Sequence, residues 1–141
     1  MWKQSHSKLY QNLKKEEIWR LWTDVNSWAS WHDDLDYCTM TGPFVVGNYF
    51  MLKPKGASAV KIELTEVNEG TSFTDCTTFL GAKMYDTHTL EETPNGLLLS
   101  NTVVVTGPLY WLWVKLVAQK VASTSDAHMD MLAHLARANN D

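Results

Sequence analysis

From Gly107 to Asn139 the chain reads as one long helix, and that stretch limits what everything before it can fold into. Gly107-Pro108 introduces it. Proline suits a first helical turn, where its missing N–H leaves no bond unmade, and nothing afterwards breaks a helix until Asn139 and Asn140. Val114, Val117, Val121, Leu132 and Leu135 recur at i, i+3/i+4 spacing, which predicts one buried side. Ser125 and His128 interrupt that stripe. A core-facing seam with polar residues at its middle either satisfies them against other polar groups or opens there onto a cavity. The residues upstream read as a sheet that wraps the helix.

Lys3 to Gln11 fits a first strand. Leu13 to Thr23 then reads as a helix, with Ile18, Leu21 and Trp22 on one face and Lys14, Lys15, Glu16 and Arg20 in water. Asp24 ends it, and Asn26 or Ser27 caps a second, short helix whose Trp28 and Trp31 share a side. Two helices in immediate succession predict a V. From Leu35 onward the apolar period shortens, with turns at Gly42-Pro43, Gly47-Asn48, Pro54-Lys55-Gly56, Asn68-Glu69-Gly70, Leu80-Gly81 and Pro94-Asn95-Gly96. Between those turns lie six candidate strands. No repeat, low-complexity tract or linker marks a second domain, so residues 1–141 read as one domain, large enough to bury about two-thirds of its unfolded surface.

The strand registers define an inside. In Val60 to Leu64 the apolar positions are even-numbered, and in Leu97 to Val105 the less polar set is odd. Four-residue loops at Asn68 to Thr71, Leu80 to Lys83 and Thr93 to Gly96 would pair Val60 with Phe79, Phe79 with Met84, Met84 with Val105, and Leu90 with both Phe73 and Leu99. Carried inward, the same registers place Leu64, Asp75, His88 and Asn101 in one row on the concave side, with Thr77 and Asp86 one step along. Polar residues adjacent in such a row stand out against apolar flanks.

Composition excludes several classes. A net charge of −4 without a basic cluster argues against a surface that tracks nucleic-acid phosphates. Met1 to His6 has no apolar h-region, and the run Leu109 to Val114 is too short to span a bilayer, so neither a secretory signal nor stable membrane insertion is expected. Cys38 and Cys76 form no CxxC and fall within strands; reduced thiols in a cytoplasmic protein are expected, with a disulfide left open. His32-Asp33-Asp34 has ligand-type side chains, but consecutive residues diverge, and His128 and His134 are six apart rather than four. A solvated turn and a helix surface are the expected readings, with no metal and no other cofactor.

The order Asp24-Val25-Asn26-Ser27-Trp28-Ala29-Ser30-Trp31, Gly42-Pro43-Phe44-Val45-Val46-Gly47, Leu52-Lys53-Pro54-Lys55-Gly56, Leu64-Thr65-Glu66-Val67 and Val105-Thr106-Gly107-Pro108-Leu109 resembles the polyketide cyclase/dehydrase and lipid-transport group of the START/Bet v 1-like (SRPBCC) superfamily. The resemblance covers nearly the whole chain. It implies an α+β helix-grip fold: a seven-stranded antiparallel sheet curved around a long C-terminal helix, two short helices between strands 1 and 2, and an apolar cavity between sheet and helix. His88 matches a position where the family often has histidine. Asn101 stands where relatives often carry a second one, a departure that argues against two-histidine chemistry.

Two readings of the polar row follow. In one, Asp75 holds the His88 imidazole in one tautomer while its other nitrogen exchanges a proton with a bound carbonyl compound, as cyclisation or dehydration of a polyketide-like chain requires. In the other, Asp75, His88 and Asn101 satisfy one another, with Ser125 or His128, and orient a ligand or bind nothing. No nucleophile elbow, paired catalytic carboxylates or phosphate loop is present. The expected function is binding, with transport or sequestration as its use, of a hydrophobic small molecule such as a lipid or polyketide. Phe73, Phe79, Met84, Leu90, Leu99, Val103, Val117 and Val121 would supply apolar walls, and Asp75, Asp86, His88, Asn101 and Ser125 would orient a polar group. The alternatives are a cyclase/dehydrase-type enzyme and a protein-interaction subunit with a filled cavity. Leu109-Tyr110-Trp111-Leu112-Trp113 cannot all point inward; an exposed part would cover the pocket mouth, form a homodimer contact or touch a membrane.

Overall fold

The computed structural model describes residues 1–138; Asn139, the expected helix end, lies outside them. Seven antiparallel strands form one curved sheet: β1 (Trp2–Tyr10), β2 (Leu35–Met40), β3 (Tyr49–Pro54), β4 (Val60–Asn68), β5 (Ser72–Phe79), β6 (Ala82–Thr93) and β7 (Gly96–Thr106), in the order β1-β7-β6-β5-β4-β3-β2. β1 and β2 are the two edges. The chain crosses between them through α1 (Lys15–Thr23) and a 3-10 helix (Val25–Ser30), the expected V. α1 buries Ile18 and Trp22 and packs against the C-terminal helix.

The inward parity holds on both strands where the sequence defines it. β4 buries Ile62 and Leu64, and β7 buries Leu97, Leu99, Asn101, Val103 and Val105. Met84 faces Val105 and Leu90 faces Leu99, as the loop lengths predict. Leu64 faces Asp75 as expected, but the turn before β5 has three residues (69–71) instead of four, and a β-bulge between Leu64 and Glu66 restores the register. The β5–β6 hairpin differs. Its turn is the two residues Leu80-Gly81, so Phe79 faces Ala82 instead of Met84, and Phe73 faces His88 instead of Leu90. The register therefore moves by two, and Asp75 lies opposite Asp86 rather than His88. An even slip leaves every side chain on its original face, which is why the concave set survives the correction.

Gly81 and Gly107 explain the tight turn. Gly81 has φ +74°, and Gly107 has φ +107° with its hypothetical Cβ 2.6 Å from the Gly81 carbonyl oxygen, so the hairpin tip and the start of the C-terminal helix touch backbone to backbone. Leu109 N–H donates to the Gly81 carbonyl at 2.9 Å, and Trp113 Nε1 donates to the Leu80 carbonyl at 2.8 Å.

The C-terminal helix is not one regular rod. It runs as α2 (Tyr110–Trp113), a π-helical segment (Val114–Ala118), α3 (Gln119–Ser123) and α4 (Ser125–Ala138), interrupted at Thr124 (φ −92°, ψ −4°). Ser123 and Thr124 hydroxyls donate to the carbonyls of Lys120 and Val121, at 2.7 and 2.8 Å, a local bonding that competes with the helical ladder and bends it. The buried stripe is Val114, Ala118, Ala122, Ser125, Met129, Leu132 and Ala136, so Val117 and Val121 stand beside it and only half-buried. Among the described residues no helix is long and apolar enough to cross a membrane. Cys38 and Cys76 are both free and buried.

The core divides in two. One cluster gathers Trp22, Trp28, Phe50, Phe73, Leu90, Leu99, Met129 and Leu132; the other gathers Met84, Val103, Val105, Val114, Ala118 and Ala122. Along each element the residue at the boundary is polar: Asp75 on β5, Asp86 and His88 on β6, Asn101 on β7 and Ser125 on α4. This polar belt is where the site forms.

Candidate functional site

A cavity of about 510 Å³ lies between the sheet and the C-terminal helix. Its walls come from Trp22 on α1, Trp28 and Trp31 at the V, Leu35 and Leu52 on the outer strands, Phe73 and Leu99 on the central strands, and Val117, Val121, Met129 and Leu132 on the helix. Asp75, Asp86, His88, Asn101 and Ser125 reach the same space. Of the wall residues expected from sequence, Phe73, Leu99, Val117 and Val121 border the cavity. Phe79 instead stacks on Trp113 with ring centroids 4.4 Å apart, Met84 and Val103 pack in the second core cluster, and Leu90 in the first.

The belt is a chain of contacts with a direction. Ser125 Oγ donates to Asn101 Oδ1, and Asn101 Nδ2 donates to Asp86 Oδ1. Those two partners fix which way the Asn101 amide points. His88 Nε2 lies 3.5 Å from the same Asp86 oxygen. The carboxylate against His88 is thus Asp86, two residues earlier on one strand face, and not Asp75 as the four-residue loop implied. Phe73, the cross-strand partner of His88, stacks on its ring at 4.6 Å, and Trp22 leans against it at 5.5 Å. Asp75 is 6% exposed and has no hydrogen-bond partner among the described residues.

Electrostatics separates the two carboxyls. Burial, and then the charge of Asp86, push the Asp75 carboxyl well above the usual range. Burial also opposes charge on Asp86, but the neighbouring His88 and the Asn101 bond outweigh it and hold Asp86 below the usual range. For His88 burial disfavours the imidazolium, yet Asp86, aided by Asp75, overcomes it and raises the pKa. A quarter of the His88 side chain remains exposed, facing the cavity. Two carboxyls with oppositely shifted affinities for a proton, beside an imidazole and in contact with an apolar chamber, can donate to, accept from and orient a polar group on a bound molecule.

A second polar group stands at the cavity wall. His32 and His128, expected on a solvated turn and a helix surface, meet edge to face with centroids 4.3 Å apart, and both border the cavity with Asp34. His32 Nδ1 donates to the Trp28 carbonyl at 2.8 Å. Burial first, then the proximity of His128, lowers its pKa to about 4. Burial also lowers that of His128, against the pull of Asp34 at 4.0 Å. Sequence reasoning missed this pair because its members lie on elements that only the fold joins. Trp28 and Trp31, read as packing for the V, also border the cavity; their count in a chain with seven tryptophans was the available signal.

No protein-family model matches the chain, and no curated protein matches it. Solved structures do. The di-domain ARO/CYC StfQ from the steffimycin biosynthetic pathway aligns with TM-score 0.77 at 10% identity, over 98% of this chain and 51% of that one. Ara h 8.0201 aligns with TM-score 0.74 at 13% identity, over 96% and 97%. Norcoclaurine synthase from Thalictrum flavum aligns with TM-score 0.70 at 14% identity, over 95% and 85%. All three share the Bet v 1-like helix-grip fold with this chain, the fold that the sequence resemblance implied.

Proposed function

We propose that the protein binds a hydrophobic small molecule, of lipid or polyketide-like size and character, in the cavity between sheet and C-terminal helix. The observation that carries this reading is the combination of aromatic and aliphatic walls with one buried polar belt that contains an unpartnered carboxyl. Apolar burial supplies affinity, and Asp75, Asp86, His88, Asn101 and Ser125 orient the polar end. Fold neighbours whose names denote an aromatase/cyclase and a synthase support a ligand-filled role for this architecture. Native mass spectrometry of protein purified gently from its host, then denaturing release, tests it. A discrete released mass that disappears when Asn101→Leu or His88→Leu is introduced is the expected result; protein that carries nothing, and takes up no aliphatic or aromatic probe, refutes it.

The second reading is an enzyme of the cyclase/dehydrase type. It is favoured by the Asp86–His88 pair, which faces the cavity beside Asp75 and so sets three groups able to exchange a proton against one bound carbonyl compound. On that reading His88→Ala abolishes turnover and leaves ligand affinity within about tenfold. Equal loss of both would assign His88 to binding alone.

A further inference from the structure

The floor of the cavity holds a donor cluster on side chains from two neighbouring strands. Asp75 and Asp86 are direct cross-strand partners, and His88 follows Asp86 by two residues, so all three project to one side of the sheet. One donor atom from each lies within 4.8 Å of the other two. Carboxylates placed directly opposite one another repel, and here the medium around them is a mostly apolar chamber that screens poorly. Asp75 makes the problem sharper, being 94% enclosed, turned into the cavity and without a hydrogen-bond partner among the described residues. A buried polar group of that kind is destabilising unless something completes it. A cation held between the two carboxylates would relieve that repulsion and give the Asp75 carboxyl a partner.

We propose that Asp75, Asp86 and His88 form a binding site for a divalent transition-metal ion at the cavity floor. Two carboxylate oxygens and one imidazole nitrogen suit zinc, manganese or iron(II) better than a thiolate-seeking ion. Donors bound about 2.0–2.2 Å from a common ion lie about 3–3.5 Å from one another. His88 Nε2 and Asp86 Oδ1 are already 3.5 Å apart, so the Asp75 side chain alone has to close in, and it is held by no competing bond. The outer support is in place too: Asn101 donates to Asp86, and Ser125 on the helix fixes Asn101. Groups in that position orient ligating side chains and tune the ion. With three protein ligands the remaining coordination positions face the cavity, so the ion would touch any molecule bound there. The site does not require that molecule, and its failure would leave the small-molecule reading to its own experiment.

The test uses the full chain, stripped with a chelator and dialysed separately against zinc, manganese or cobalt(II), with bound metal counted per chain and affinity measured by titration calorimetry. About one ion per chain is expected for at least one of the three, with affinity reduced at least about 100-fold in Asp75→Asn and in His88→Gln, and about 10–100-fold in Asn101→Ala. Cobalt(II) bound by the wild type should show visible ligand-field absorption that the His88→Gln protein lacks. Asp75→Asn keeps shape and removes a like-charge conflict, so it is expected to fold, and its melting curve checks that. Absence of stoichiometric uptake of all three metals overturns the proposal. So does uptake that survives both Asp75→Asn and His88→Gln, or that is lost instead in His128→Asn, which would place the ion beside His32 and Asp34.

Discussion

Acidification should loosen this protein through His32, and the size of the effect can be worked from its surroundings. The ring packs against Trp28, Trp31 and His128, donates to the Trp28 carbonyl, and has Asp34 and His88 as the nearest other charged groups. Burial and His128 hold its pKa at about 4 in the folded protein, against about 6.5 in the unfolded chain. The folded value is depressed, so as pH falls the unfolded chain takes up the proton first and the native state loses ground between about pH 6.5 and 4. At pH 5 linkage with these two values gives about 2 kcal/mol, and partial solvent contact of the ring reduces that to about 1–2 kcal/mol. Urea denaturation followed by tryptophan fluorescence, at intervals from pH 7.5 to 4.5, measures it. The comparison is with His32→Gln, because carboxylates such as Asp130, held low by its bonds to Lys8 and Tyr10, add their own acid sensitivity to both proteins. The gap in stability between wild type and variant should shift by about 1–2 kcal/mol in favour of the variant as pH falls from 7 to 5. Parallel profiles would refute the argument that the fold holds His32 neutral.

Three further outcomes follow from packing and bonding. Gly107→Ala sets a Cβ 2.6 Å from the Gly81 carbonyl oxygen at a φ of +107°, and should destabilise by about 2 kcal/mol or more in denaturant melts; a near-neutral effect would show that the hairpin and helix start separate easily. Asn101→Leu strips the Ser125 hydroxyl and Asp86 of their shared partner and should cost about 2–3 kcal/mol, whereas Ser125→Ala, which removes one hydroxyl from the end of the chain, should cost about 1 kcal/mol; equal costs would contradict the bonding order assigned to the belt. Trp111 is 60% exposed, so Trp111→Glu should change stability by no more than about 0.5 kcal/mol, and a larger loss that depends on protein concentration would reveal that this tryptophan is covered by a second copy.

The belt could be named from sequence, though its wiring could not. Asp75, Asp86, His88, Asn101 and Ser125 all reach the cavity because strand parity and helix periodicity are local properties, readable from spacing alone. Which carboxylate meets His88 depended on the length of one turn. Leu80-Gly81 lacks the Asn-Gly or Asp-Gly pattern of a two-residue hairpin, and its tightness reflects the backbone approach of Gly107, distant in sequence. The same limit explains the walls. Phe79, Met84, Leu90 and Val103 have the right parity, but they lie beyond the ends of a cavity whose extent depends on where the helix departs from the sheet.

By itself, then, the order of residues determined the seven strands, the inward face of each central strand, the V of short helices and a C-terminal helix with a polar interruption, because each follows from periodicity or turn chemistry within a few residues. Only tertiary structure decided that Asp86 faces Asp75, that His32 meets His128, and that Val117 and Val121 line a cavity while Ala118 and Ala122 pack on the sheet. Those relations span tens of residues. They are set by how closely two surfaces approach, through small residues at Gly81, Gly107, Ala118 and Ala122 and through the bend at Thr124, and a packing distance leaves no periodic trace in a sequence.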